Sequence, residues 1–448
     1  MSPVPWPCCS PNIGANISVD GRPAGCASDA RQIPSSISIK RNDSMRVLIA
    51  LLILLAGLVP MAAWADPTFK VSYEIAIEEN EPWADIAIKV DSGRVLKQLD
   101  FSIDPARHKD FRADGGVETR AERVVWEIPR KGGTLRLRAL IPHERRGDGY
   151  DAILAEDFAL FRGDDMIPPA TARALKGARS DAVLRFRLPS GWSVQTGWIR
   201  QPDRVSFRIE NDERTLARPI GWMIAGRIGV RVDRPGNVEL MVAGPEGSGL
   251  RRMDVLTFMN FVWPEFEGAF GNVPPKILLV GAGDPMWRGG LSAPNSIFLH
   301  ADRPIVSENG TSTLVHELFH VVTRIRGAKD DDWIAEGLAE YYAVELLRRA
   351  GGVSDVRHAQ IREWFEDFGK DVRSLKGPRA RGERMSRAAI LFWDLDQELR
   401  EVTDGAKNLD DVVRELIPLR EVSEAELRRV ATRVAGQAPE TLDTPLLR

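Results

Sequence analysis

Cysteine runs out early in this chain. Cys8, Cys9 and Cys26 are the only three, so no disulfide framework can operate in the remaining sequence. Charge of one sign is also missing. Against 61 basic residues stand 64 acidic ones, with a net charge of −3 and no basic block or stripe, so a nucleic-acid partner is not expected. Histidine is scarce, six in 448 residues, and none of the four tyrosines follows Tyr342. Long apolar runs are absent apart from VLIALLILLAGLV at 47–59, which is too short to span a bilayer comfortably.

That run follows Met45-Arg46 and precedes Ala63-Trp64-Ala65 and Asp66-Pro67. A basic start, a short apolar core and a small-x-small site describe a secretory signal peptide over 45–65. Export to the periplasm or the medium is therefore expected, with the mature chain starting near Asp66. An uncleaved anchor is the alternative, and the only route by which a membrane would enter. No cysteine follows the run, which argues against a lipid anchor. Residues 1–44 are rich in Pro, Ser, Gly and Asn without periodicity, and read as a non-native disordered extension from a start codon placed too early.

What remains, 43% hydrophobic and 28% charged, suffices for two globular domains. From Phe69 to about Val232 the pattern has period two: Phe69, Val71, Tyr73, Ile75 and Ile77 alternate with polar residues, and AVLRFRL and RVSFRIE repeat the theme. Short alternating runs with Gly, Pro and Asp breaks predict an antiparallel β-sandwich over 66–234. Arg234–Asn237 reads as a turn at the boundary. Over 235–448 the period changes. A helix from Arg252 to Phe266 and strands at Lys276–Gly281 and Asn295–His300 precede helices near 311–326, 332–350, 354–368, 384–402 and 408–418. Asn309 or Thr311 is the expected cap of the first of these later helices. The fold class is thus α+β, a β domain followed by a mostly helical one with a small edge sheet.

The chemistry concentrates in STLVHELFHVV, Ser312–Val322. His316 and His320 are four apart, so a helix places both rings on one face, able to share one zinc ion. Glu317 then lies beside a metal-activated water and can take its proton. A catalytic zinc needs a third protein ligand. The pattern with a third histidine requires Gly at 323 and His at 326, where this chain has Thr323 and Arg326. Sixteen positions beyond His320, WIAEGLAEYY offers Glu336, and one turn later Glu340 can hold the free ring nitrogen of a ligand histidine, His316 above all. Two His and one Glu make zinc the default metal.

HELFH with WIAEGLAEYY resembles the gluzincin metallopeptidases. A β domain before a thermolysin-like domain is similar to the glycyl and alanyl aminopeptidase families. The resemblance implies zinc ligands at His316, His320 and Glu336, a general base at Glu317, and a peptide or protein substrate. It also implies a substrate-binding edge strand at Gly289, Gly290, Leu291 and Ser292. There the glycyl type reads Gly-Gly-Leu-Glu-His, and Ser292 and Ala293 stand in place of the amine-binding glutamate and the histidine. The family's oxyanion-stabilising tyrosine is likewise altered: Met385 falls at its place, followed by Arg387-Ala388. His300, His358, Arg384 and Arg387 are candidates to substitute for it, His300 first because it ends a strand near the cleft. The resemblance identifies Tyr341 and Tyr342 as packing residues. These departures leave a second class open, a zinc-binding but weakly active or non-catalytic homologue acting as an envelope binding protein. A third reading makes the β domain a docking module. Oligomeric state is not legible.

Overall fold

The computed structural model describes residues 67–448 apart from 146–148, 211–213 and 272. The expectations for the extension 1–44 and the signal 45–65 lie outside the described residues. No helix among the described residues is long and apolar enough to cross a membrane.

Period-two alternation becomes strands as expected. In Thr68–Ala76, Phe69, Val71, Tyr73 and Ile75 are buried while Lys70 and Glu74 face out. This strand pairs antiparallel with Trp83–Val90, where Tyr73 meets Ile88 and Ile75 meets Ile86. On its other side it runs parallel to Arg179–Arg187, with Tyr73 opposite Leu184. The N-terminal region is therefore a multi-sheet β domain, with sheets of seven, five and four strands, rather than a purely antiparallel sandwich. Alternation sets which face a residue takes; it carries no information on strand direction, so the parallel pair was not predictable from it.

The C-terminal region is built on a five-stranded sheet. Its order is Ile228–Asp233, Glu239–Pro245, Lys276–Val280, Ser296–Leu299 and Gly290–Ala293. The turn at Arg234–Asn237 is the tip of the hairpin joining the first two strands, which pair antiparallel. The three middle strands are parallel and, apart from Glu239 at the start of the first, buried throughout, as parallel strands covered on both faces must be. Gly290–Ala293 turns back antiparallel and forms one edge.

Among the described residues seven α-helices complete this region: α1 Arg252–Phe270, α2 Thr313–Thr323, α3 Asp332–Arg349, α4 Asp355–Gly369, α5 Glu383–Val402, α6 Leu409–Leu416 and α7 Glu424–Ala435. Their apolar faces share one core with one side of the sheet. The other side meets the β domain. Leu160, Trp222 and Ile224 are buried there together with Met241, Leu278, Val280 and Phe298. Two contacts from this junction hold the edge strand and its inner neighbour. Trp222 donates its indole N–H to the Leu291 carbonyl at 2.9 Å, and its backbone N–H to the Ser296 hydroxyl at 2.8 Å.

Candidate metal centre

Helix α2 starts where Ser312 caps it. The Ser312 hydroxyl accepts from the Val315 amide at 3.3 Å and donates to the Ile305 carbonyl at 2.6 Å. Asn309 instead closes a local turn with Thr311, three residues before the cap. The helix ends at Thr323, not 326, because Arg324 adopts a left-handed conformation with φ 54°. Leu314, Val315, Leu318, Phe319 and Val322 bury one face. The face that remains presents His316, Glu317 and His320.

Helix α3 packs against α2 through stacked Phe319 and Tyr342 rings, 5.3 Å apart. Tyr341 and Tyr342 are fully buried, and the Tyr342 hydroxyl donates to Asp410. Their place is packing. That register turns Glu336 and Glu340, one helical turn apart, towards the two histidines. The Nε2 atoms of His316 and His320 stand 3.2 Å apart. Glu336 Oε2 lies 3.4 Å from His316 Nε2, and its Oε1 lies 3.7 Å from His320 Nε2.

This donor set fits a zinc ion. Donors bonded tetrahedrally at roughly 2.0–2.1 Å stand about 3.3 Å from one another, which is the size of the triangle found. Two imidazole nitrogens 3.2 Å apart are placed to share one cation. His316, His320 and Glu336 are the one such three-residue cluster found among the described residues. Glu340 Oε2 lies 3.0 Å from His316 Nδ1, so a proton held on that nitrogen would leave the Nε2 lone pair for a bound ion.

The charges agree with a site made for a cation. Burial works against a charged His316, yet hydrogen bonds to Glu336 and Glu340 outweigh it and hold its pKa well above the usual value. His320 moves the other way, lowered by burial and then by His316. Burial would raise Glu336, but His316 and His320, with Arg381 behind them, keep it below the ordinary range. Glu317, 9% exposed, is held by the edge strand: its Oε2 accepts from the Ser292 amide at 2.7 Å.

These groups open on a cleft of about 530 Å³. Leu291 and Ser292 form one wall beside Trp287. The Trp287 loop is tied to the β domain by reciprocal backbone bonds at Tyr150. Gly289 is required here, since a Cβ on it would lie 2.1 Å from the Trp287 ring. Gly290 is required too, because its Cβ would meet Thr313 Cγ2 at 2.6 Å and Glu317 Cγ at 3.2 Å.

The candidate substitutes for the missing tyrosine lie elsewhere. His300 is 1% exposed, and its Nε2 stands 3.4 Å from Asp284, outside the cleft lining. His358 stands beside Glu345 and accepts from the Trp393 indole at 3.3 Å. Arg384 donates to the Arg379 carbonyl, Arg387 packs on Gly369, and Met385 does not line the cleft. Three cations do line it, and none was singled out from the sequence: Arg145, Arg379 and Arg381. A signal existed in KGPRARGER, Lys376–Arg384, a run of basic residues between two helices with one acid.

Fold and donor set together define the class: the architecture is that of the two-domain M1 zinc metallopeptidases, carrying a His-His-Glu site. Particular solved structures share it. An aminopeptidase N family protein from Idiomarina loihiensis superimposes with a TM-score of 0.60 at 14% identity, over 84% of this chain and 74% of that one. An M1 zinc metallopeptidase from Deinococcus radiodurans, bound to a Tyr-Ser-Ala substrate, gives 0.53 at 16%, over 85% and 94%. Leukotriene A4 hydrolase from Saccharomyces cerevisiae gives 0.52 at 14%, over 84% and 66%. No sequence-family profile and no curated protein sequence matches the chain.

Proposed function

We propose that this protein is an exported zinc-dependent peptidase. The observation that carries it is the joint placement of a three-donor triangle and the Glu317 carboxylate on one cleft beside the edge strand Gly290–Ala293. When bound, zinc would supply Lewis acidity and lower the pKa of water at this site. The chain's own residues do the rest. His316, His320 and Glu336 hold the ion, and Glu340 fixes the His316 tautomer. Glu317 takes a proton from the attacking water and returns it to the leaving amine. The edge from Gly289 to Ser292 pairs with substrate backbone, which needs only its N–H and C=O groups.

Binding to a Tyr-Ser-Ala substrate belongs to the Deinococcus enzyme; its extension to peptides here is part of the proposal. A second reading, a zinc-holding but non-catalytic envelope protein, draws on Ser292 and Met385, which remove a carboxylate and a phenol the aminopeptidases use. A panel of N-blocked and free-amine peptides separates the readings. Hydrolysis of blocked peptides marks an endopeptidase, and hydrolysis of free-amine peptides alone marks an aminopeptidase. Stoichiometric zinc with no turnover on any peptide favours the binding protein and overturns the proposal.

A further inference from the structure

Three arginines and three carboxylates line the cleft, and among the described residues none of the carboxylates is ion-paired with an arginine. Each of its acids is already engaged: Glu336 with the two histidines, Glu317 with the Ser292 amide, and Asp332 with the Ala380 amide at 2.8 Å. Of the three arginines, Arg145 pairs with Asp151 at 3.1 Å and lies over the Trp287 ring at 4.1 Å. The side chains of Arg379 and Arg381 are exposed and make no ion pair or hydrogen bond among the described residues.

Their backbone is held firmly. Gly377 donates to the Asp330 carbonyl at 2.9 Å, and Lys376 reaches Asp331 at 2.7 Å. Asp331 in turn accepts from the Trp333 indole and from the Glu424 amide. With Ala380 on Asp332, the segment is pinned to the first turn of α3, the helix that carries Glu336. The backbone that carries the two guanidinium groups is thereby held beside the metal cleft, which both side chains line. Arginine's planar fork matches a carboxylate in two parallel hydrogen bonds.

We infer that the cleft selects a peptide with a carboxylate near the scissile bond, and that Arg381, seconded by Arg379, receives it. This rests on the peptidase reading and names its substrate class. The carboxylate has two sources, an acidic side chain or a free C-terminus. Ser292 fits the same picture: at the edge strand the cleft offers a hydroxyl and no carboxylate to a cationic amine.

The test is peptide binding to the zinc-loaded Glu317→Gln protein, measured by calorimetry. The peptides are N-blocked and differ at one position, Asp, Gln or Lys, each with a free or amidated C-terminus. Carboxylate-bearing peptides are expected to bind about 10- to 100-fold more tightly than the Gln amide, an advantage that salt reduces. Preference for the Asp amide assigns the side chain; preference for the free C-terminus alone assigns the terminus. Adding Arg381→Ala should remove most of that advantage without changing zinc content, and Arg381→Glu should turn it towards the Lys peptide. Both changes lie at an exposed position, so the fold should tolerate them. Equal binding of Asp and Gln peptides, whatever the terminus, overturns the inference and leaves peptide hydrolysis standing. Full preference retained in Arg381→Ala overturns the role of Arg381. Failure to bind any peptide overturns the peptidase reading as well.

Discussion

Removal of Glu340 should cost metal affinity without touching a ligand. Its carboxylate is 8% exposed and accepts from His316 Nδ1 at 3.0 Å. A hydrogen bond to a charged group contributes roughly 1.5–3 kcal/mol, and here it also selects the tautomer that leaves Nε2 free for the ion. Glu340→Ala leaves a buried ring N–H without its partner. The loss should be about 2 kcal/mol, or roughly 30-fold in zinc affinity, within the range typical of such supporting groups. Glu340→Gln keeps an acceptor of similar shape but no charge, and should lose about half as much on the logarithmic scale. The assay is competition with a chromophoric chelator at fixed pH, with circular dichroism as a check on folding. Unchanged zinc affinity in a folded Glu340→Ala protein would show that Glu340 is an ordinary helix acid, and would refute this account of the site.

The close approach of the edge strand to α2 predicts that Gly290→Ala destabilises. Overpacking of this kind costs about 1–3 kcal/mol, read as a lower Tm, and Thr313→Ser should restore part of it by removing the colliding methyl. An unchanged Tm would contradict the packing. Acid stability should depend on Glu345, which is 3% exposed and accepts from Arg348 and Arg349, each at 2.8 Å. Burial would raise its pKa, but the two arginines more than compensate and hold it below the usual value. A carboxylate depressed in the folded state stabilises above its unfolded pKa, about 4.3, and loses that contribution as pH falls through the folded value. Glu345→Gln should therefore lie about 2 kcal/mol below the parent in urea unfolding at pH 7, with the gap closing below about pH 4. A gap independent of pH would refute the assignment.

The part of the site that was legible lies on helices. A 3.6-residue period places His316 with His320 and Glu336 with Glu340, so ligand faces follow from spacing alone. The run of basic residues in 376–384 was legible, but its place on the cleft was not, because 376–381 has no period. Its position comes from single hydrogen bonds to Asp330, Asp331 and Asp332, a tertiary fact with no local signature. His300 drew attention because it ends a strand beside the cleft, yet its side chain turns towards Asp284. Helix α7 was missed although Ser423 and Glu426 spell a capping box and Leu427, Val430 and Ala431 have helical spacing. Its density of charge hid a narrow apolar face. The strand alternation of the β domain was readable, and the parallel pairing of its first strand was not, since pairing partners a hundred residues apart leave no mark on local pattern.

The central claim is that the donor triangle holds zinc while Glu317 moves the proton. Glu317→Gln keeps the shape of the side chain and its place against the Ser292 amide, but it can no longer act as a base. Zinc content by elemental analysis and peptide turnover should be measured together on this one protein. The account predicts one zinc per chain with hydrolysis reduced at least about a hundredfold. Full activity in Glu317→Gln, or a folded protein that takes up no zinc, would contradict it.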